Sequence, residues 1–348
     1  MDRASSLALL PLLLWWAGVA WAAGSIPGAQ WSKAPTPEAL GWASEKLKAA
    51  DDFARGLNTD AYLVVDRGAV IHEYGAVSRP TNVHSIRKSV LNLLIGMHVD
   101  RGPIALDRTL AELGISDREG LSDVETRATI RHLMQARSGI YHGAAYETRA
   151  MAARRPPRGS ALPGTRFYYN NWDFNALGTI FAKLAGKTVF ESLRDDLALP
   201  LQFEDFRMAT DTRFQHGGDS DHPAYVMRLS ARDLARVGLL VARNGRWGER
   251  QVVPEKWIAE SLSSYSDTER AGLGYGYLWW IGADRRHFGV EFPGKVVSAR
   301  GHRGQYLVVD LAREIVVVHK VNSELDQRRA VSDRAFGQLL RLIMDAKS

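Results

Sequence analysis

His84-Ser85-Ile86-Arg87-Lys88-Ser89-Val90-Leu91-Asn92-Leu93-Leu94-Ile95-Gly96 reads as the start of a mostly buried helix that opens on Ser-x-x-Lys. Val90, Leu91, Leu94, Ile95 and Met97 recur at helical spacing, and Asp100-Arg101-Gly102 supplies a stop. Ser85 and Lys88 share one face of the first turn, so the ammonium sits beside the hydroxyl as an activator beside its nucleophile. A serine cap followed by a surface lysine would give the same letters, and chance supplies such a motif roughly once in a chain this long. The cations favour chemistry. A helix start prefers anions, and a capping box wants Glu or Gln at its third position, whereas this one carries Arg87 and Lys88. Local conflicts of that kind are expected at functional sites.

The chain has 348 residues, 45% of them hydrophobic, enough for a sizeable core in two lobes. Its net charge of +6 is spread without a long basic run, which argues against nucleic acid as a partner and leaves a weak preference for anionic substrates or surfaces. The absence of cysteine excludes disulfides and thiolate metal sites. Residues 1–22 read as a signal peptide: Arg3, an apolar run from Leu7 to Ala20, then the small-x-small Ala20-Trp21-Ala22. A periplasmic or secreted protein is expected, with a retained anchor as the alternative because Asp2 weakens the charge of the n-region. No other run approaches 18 apolar residues, so no membrane contact is expected of the mature chain.

Pro37–Leu57 carries the pattern of an amphipathic helix, and Ala61–Val65, Asp66-Arg67-Gly68 and Ala69–Tyr74 that of a β-hairpin. From Lys88 to about Arg232 the periodicity is helical, with polar loops at 141–165 and 203–226. Strands are expected over Tyr275–Ile281, Val296–Ala299, Gln305–Asp310 and Glu314–Lys320, and a closing helix over Arg328–Met344. Short connections imply antiparallel pairing. The fold class is therefore α/β in the α+β sense: an antiparallel sheet flanked by N- and C-terminal helices plus an inserted all-helical lobe. The expected domains are 38–84 with 233–348 for sheet and helices, and 85–232 for the helical lobe.

Two further stretches could carry chemistry. In Phe167-Tyr168-Tyr169-Asn170-Asn171, residues two apart point the same way if extended, so Tyr169 and Asn171 can face one cleft. A phenol against an ammonium has its pKa lowered, which would let Tyr169 take the Ser85 proton; the alternative is a core aromatic and an Asn171 helix cap. In Arg300-Gly301-His302-Arg303-Gly304-Gln305, glycines in a strand pattern suggest close approach of backbone to a ligand, or a plain hairpin turn. His216, Asp219, Asp221 and His222 read as a solvated loop rather than cation ligands. Arg154, Arg155 and Arg158 mark a lid between the Ser85 and Tyr169 segments.

Ser85-x-x-Lys88, Tyr169-Asn170-Asn171 and His302-Arg303-Gly304, in that order, resemble the three signature elements of the penicillin-recognising serine hydrolases. Tyr-x-Asn matches the class C β-lactamase-related branch. Gln135-Ala136-Arg137-Ser138-Gly139 and Tyr168-Tyr169-Asn170-Asn171-Trp172 look like its 6-aminohexanoate-oligomer hydrolase and esterase relatives. The resemblance implies a β-lactamase/transpeptidase-like fold and an acyl-enzyme on Ser85, with Lys88 and Tyr169 handling the proton and no metal or cofactor. It further implies that Asn171, His302, Arg303, Gly304 and Gln305 bind substrate, with Ser85 and Gln305 backbone N–H groups facing the oxyanion. The family's Lys-Thr-Gly is replaced by His302-Arg303-Gly304, as in relatives acting outside β-lactams. A small ester or amide is the expected substrate. A β-lactamase, a D-alanyl-D-alanine carboxypeptidase and a non-catalytic penicillin-binding-type sensor are the alternatives, and the oligomeric state is not legible.

Overall fold

The computed structural model describes residues 26–348 other than 101, 269 and 271; the expected signal segment lies outside the described residues. Strands β1 (Ala61–Asp66), β2 (Ala69–Gly75), β3 (Ser266–Asp267), β4 (Leu273–Tyr275), β5 (Trp280–Gly282), β6 (Val296–Gly301), β7 (Gln305–Asp310) and β8 (Ile315–Lys320) form one antiparallel sheet. Its order is β2-β1-β8-β7-β6-β5-β4-β3, so the first hairpin closes onto the last strand. The β1–β2 turn is tight because Arg67 (φ 48°) and Gly68 (φ 87°) both adopt left-handed backbone.

The helices that position the site are α1 (Ser44–Arg55), α2 (Ile86–Asp100), α3 (Asn171–Ala185), α4 (Ala231–Ala242) and α5 (Asp333–Asp345). Alternate residues of the central strands serve opposite faces. Tyr62, Val64, Val308 and Val317 pack against Leu47 of α1 and Phe336 and Leu340 of α5. Leu63, Val65, Leu307, Val309, Val316 and Val318 share a second cluster with Val90 and Leu94 of α2 and Leu234 of α4. Burial on both faces explains the unbroken apolar Ile315-Val316-Val317-Val318, each side chain contributing about 1.5–3 kcal/mol. α2 is buried from Ile86 to His98, packed against β6 and β7 of the sheet and against α3.

Three local expectations are corrected. Pro37–Leu57 is not one helix, because Gly41 (φ 73°) ends a 3-10 turn at Leu40 before α1 begins. The strand expected over Tyr275–Ile281 breaks into β4 and β5: Tyr277 N donates to Ser261 O and Leu278 N to Met134 O, which takes this segment out of the ladder. The stretch 203–226 is not a loop throughout. Thr212–Gly217 and Ser220–Leu229 pair as a hairpin, and Thr81–Asn82 adds a third strand. Its outer strand is largely exposed, which is why polar residues there resemble a loop. His222, in this hairpin, contacts Thr179 and Trp172, while Asp221 pairs with Arg118.

Candidate active site

Ser85 stands immediately before α2, following a turn in which His84 takes a φ of 48°, uncommon for a residue with a Cβ. Asn82 Oδ1 accepts from His84 N at 2.9 Å and holds this turn. Ser85 remains partly open to a cleft of about 1890 Å³, whereas Lys88, one turn on, is 1% exposed.

Three oxygens surround Lys88 Nζ, each at 2.8 Å: Ser85 Oγ, Tyr169 Oη and Asn171 Oδ1. An ammonium donates to all three; a neutral amine donates to two and accepts from one. Asn171 Oδ1 only accepts, and its amide is oriented by Nδ2 donating to Tyr146 O at 2.7 Å. The lone pair of a neutral Lys88 therefore faces one of the two hydroxyls. Burial, reinforced by the charge of Arg87, holds Lys88 well below the ordinary lysine pKa.

Tyr169 behaves opposite to the expectation of a lowered pKa. Burial pushes it up to about 12, and the opposing hydrogen bond from Ser85 and charge of Arg87 do not overcome that. Desolvation of the phenolate outweighs these opposing contributions. The ring is fixed by stacking on Trp280 at 5.3 Å and tilting against Phe174 at 4.9 Å. Helix capping falls to Asn170, whose Oδ1 accepts from Asp173 N at 2.8 Å, leaving Asn171 for Lys88.

His302, Arg303 and Gly304 line the same cleft as Ser85, Tyr169 and Asn171. The Gln305 side chain is turned into the fold, its Nε2 donating to Val321 O at 2.7 Å, so it is not a side-chain contact for substrate. Gly301 lines the cleft, and a Cβ there would lie 2.4 Å from Val83 O, so this glycine also permits a close approach to backbone two residues before Ser85.

The sequence leads to a His84 side chain pointing away from the Ser85–Lys88 face, as found, but not to its partners Tyr146 and Ser323. Tyr146 Oη accepts from Asn82 Nδ2 at 2.7 Å and bonds His84 Nδ1 at 2.8 Å, while His84 Nε2 bonds Ser323 Oγ at 2.8 Å. Burial, then the nearby His302, lowers His84 to about 3, so its ring is neutral and engaged away from Ser85 and Lys88. No motif marks Tyr146, a lone tyrosine in irregular chain. Of the three arginines expected in a lid, Arg154 lines the cleft, Arg155 bonds Glu147, and Arg158 bonds the buried Glu125 at 2.8 Å. The last two fasten the loop down.

A sequence model of the Beta-lactamase family matches residues 45–341, and the chain belongs to that family. It is an enzyme of the β-lactamase-related serine hydrolase class. Solved structures share its fold. A putative 6-aminohexanoate-dimer hydrolase from Bacillus anthracis is 20% identical, with TM-score 0.67 over 93% of this chain and 89% of that one. A penicillin-binding protein homologue from Caulobacter crescentus is 16% identical, with TM-score 0.65 over 88% and 99%. EstCE1, a hydrolase with promiscuous acyltransferase activity, is 15% identical, with TM-score 0.60 over 89% and 98%. Among the described residues no group of three or more His, Asp or Glu is placed to hold a metal ion, and no helix is long and apolar enough to cross a membrane.

Proposed function

We propose that the protein cleaves a small ester or amide through an acyl-enzyme on Ser85, and that it works outside the cytoplasm, as the signal-like residues 1–22 suggest. The observation that supports this best is the triple contact of Lys88 Nζ with Ser85 Oγ, Tyr169 Oη and Asn171 Oδ1. Neutral Lys88 accepts the Ser85 proton as Oγ attacks the carbonyl carbon. The resulting ammonium donates to Tyr169 Oη, and Tyr169 passes its own hydroxyl proton to the departing oxygen or nitrogen. Lys88 and Tyr169 thereby return to their starting protonation as the leaving group departs. Backbone N–H groups of Ser85 and Gln305 are the proposed oxyanion donors. Water then attacks the acyl carbon, its proton passing to the same Lys88–Tyr169 pair and on to Ser85 Oγ.

A fluorophosphonate probe is expected to add one adduct, on the peptide carrying Ser85, and Ser85→Ala is expected to lose both labelling and turnover. An adduct on Ser138 or Ser89 instead would refute the assignment. Screening esters, linear amides and a cephalosporin separates an esterase or amidase from a β-lactamase; labelling without turnover of any of them would favour a sensor.

A further inference from the structure

The cleft is lined by arginines from both sides and by no lysine. On the sheet side, Arg270 and Arg300 share one carboxylate, Asp333 Oδ2, at 3.5 and 3.1 Å. The other two lining carboxylates are occupied from outside the lining: Glu147 by Arg155 and Glu324 by Arg228. On the lobe side, Arg154, Arg166 and Arg213 are exposed at the cleft wall and have no acidic partner among the described residues. Arg154 and Arg166 both act electrostatically on the phenol of Tyr168, the residue beside Tyr169, and Arg213 acts on Tyr146. These guanidinium groups, and the exposed Arg149, line the same cleft as Tyr169 with no acidic partner among the described residues.

The centre of the site does not offset this charge. His84 and His302 are held neutral by burial, Tyr169 is a neutral phenol, and Lys88 supplies no negative charge in either form. A cleft of one sign focuses its field and concentrates ligands of the opposite sign. Guanidinium forks match carboxylates in paired hydrogen bonds, which a set of lysines would not do.

We propose that Arg154, Arg166 and Arg213 form a subsite for a carboxylate-bearing part of the substrate, so that the preferred ester or amide is an anion. This rests on the serine hydrolase reading above and narrows its substrate class. It is separate from the Arg303 contact that the family resemblance implies, which lies on the sheet side of the cleft. Arg154 and Arg166 come from one loop and Arg213 from the Thr212–Leu229 hairpin, so the subsite spans two segments separated in sequence.

Two ester pairs differing only in charge test it. In one the carboxylate is in the acyl part (4-nitrophenyl hydrogen adipate against 4-nitrophenyl hexanoate); in the other it is in the leaving group (4-acetoxybenzoate against its primary amide). In at least one pair kcat/KM is expected to favour the anion by about tenfold or more at low ionic strength. The advantage should shrink in about 0.5 M NaCl, and the ratio should fall towards one in the triple variant Arg154→Gln/Arg166→Gln/Arg213→Gln. Neutral esters turned over as well as anionic ones in both pairs, or a preference untouched by the triple variant, would overturn the subsite while leaving Ser85 chemistry intact. Should neither ester be turned over, protection of Ser85 from fluorophosphonate labelling decides. Adipate should protect where adipamide does not, and equal protection overturns the proposal. Absence of any Ser85 labelling would instead count against the serine hydrolase reading itself.

Discussion

Asn171 and Asn175, one turn apart on α3, hold the two consecutive basic side chains of α2. Asn171 Oδ1 accepts from Lys88 Nζ at 2.8 Å, and Asn175 Oδ1 accepts from Arg87 Nη2 at 2.9 Å. Their amide nitrogens donate to consecutive carbonyls, Tyr146 O at 2.7 Å and Ala145 O at 3.0 Å. The result is a two-rung ladder joining α2, α3 and the 145–146 segment. Arg87 is 1% exposed, lies over the Tyr225 ring at 4.2 Å, and has no hydrogen-bond partner for Nε or Nη1 among the described residues. A buried cation without a carboxylate is costly, which is the conflict that the first turn of the helix already displays in the sequence.

The ladder sets the pH dependence. If Lys88 must be neutral to accept a proton, kcat/KM rises with pH through its lowered pKa, and Tyr169, at about 12, adds no falling limb in the usual range. Arg87→Met removes a positive neighbour, raises the Lys88 pKa and should move the rising limb to higher pH, whereas Arg87→Lys should leave it nearly in place. A pH profile of kcat/KM for both variants checks this; a limb that stays put in Arg87→Met would show that burial alone depresses Lys88.

Lys88 and Tyr169 should behave as one proton-handling unit. Lys88→Ala, Tyr169→Phe and the double variant are expected to lose similar activity, each about a hundredfold or more, because groups acting together are not additive. Near-normal ester turnover by a folded Tyr169→Phe variant would restrict that residue to packing against Trp280.

Asp173 is fully buried, with Oδ1 accepting from Ser138 Oγ at 2.5 Å, and burial raises its pKa from 3.8 to about 8. Between those values the folded state binds more protons than the unfolded chain, so this group makes stability fall as pH rises. Thermal midpoints of Asp173→Asn between about pH 5 and pH 9 should therefore decline less steeply than those of the unsubstituted protein. Parallel slopes would show that the carboxyl ionises without cost.

Gly301→Ala would drive a methyl group towards Val83 O, at 2.4 Å, in the segment that leads into Ser85. A loss of about 1–3 kcal/mol is expected, seen as a lower midpoint in urea, together with reduced turnover as the Ser85 turn shifts. Unchanged stability and activity would mean that this contact relaxes freely.

Arg158 bonds Glu125, which is 3% exposed, through both carboxylate oxygens at 3.1 and 2.8 Å. Arg158→Ala should cost about 1–2 kcal/mol, less than a fully buried pair because the arginine is partly exposed. Arg154→Ala should leave thermal stability almost unchanged, since no partner is lost. Equal effects of the two substitutions on the thermal midpoint would argue against Arg158 as the fastener of the loop.

Short-range information was legible in the chain itself. Helical spacing places Ser85 and Lys88 on one face, apolar runs mark β1, β7 and β8, and three motifs in order point to the family whose fold the structure shows. These follow from geometry repeating every few residues, which the order of side chains records directly.

Only the tertiary structure decided what surrounds those residues. Tyr169 lies 81 residues from Lys88 in the chain, Ser323 lies 239 from His84, and Arg213 enters the cleft on a hairpin whose exposed strand reads as a loop. The reversal at Tyr169 has the same origin. A pKa sums desolvation over every group packed around the phenol, from Trp280 to Phe174, and that sum does not exist until distant segments meet. The sequence determined which side chains are candidates for the chemistry; packing determined the direction in which their pKa values shift, because burial is a property of the whole fold.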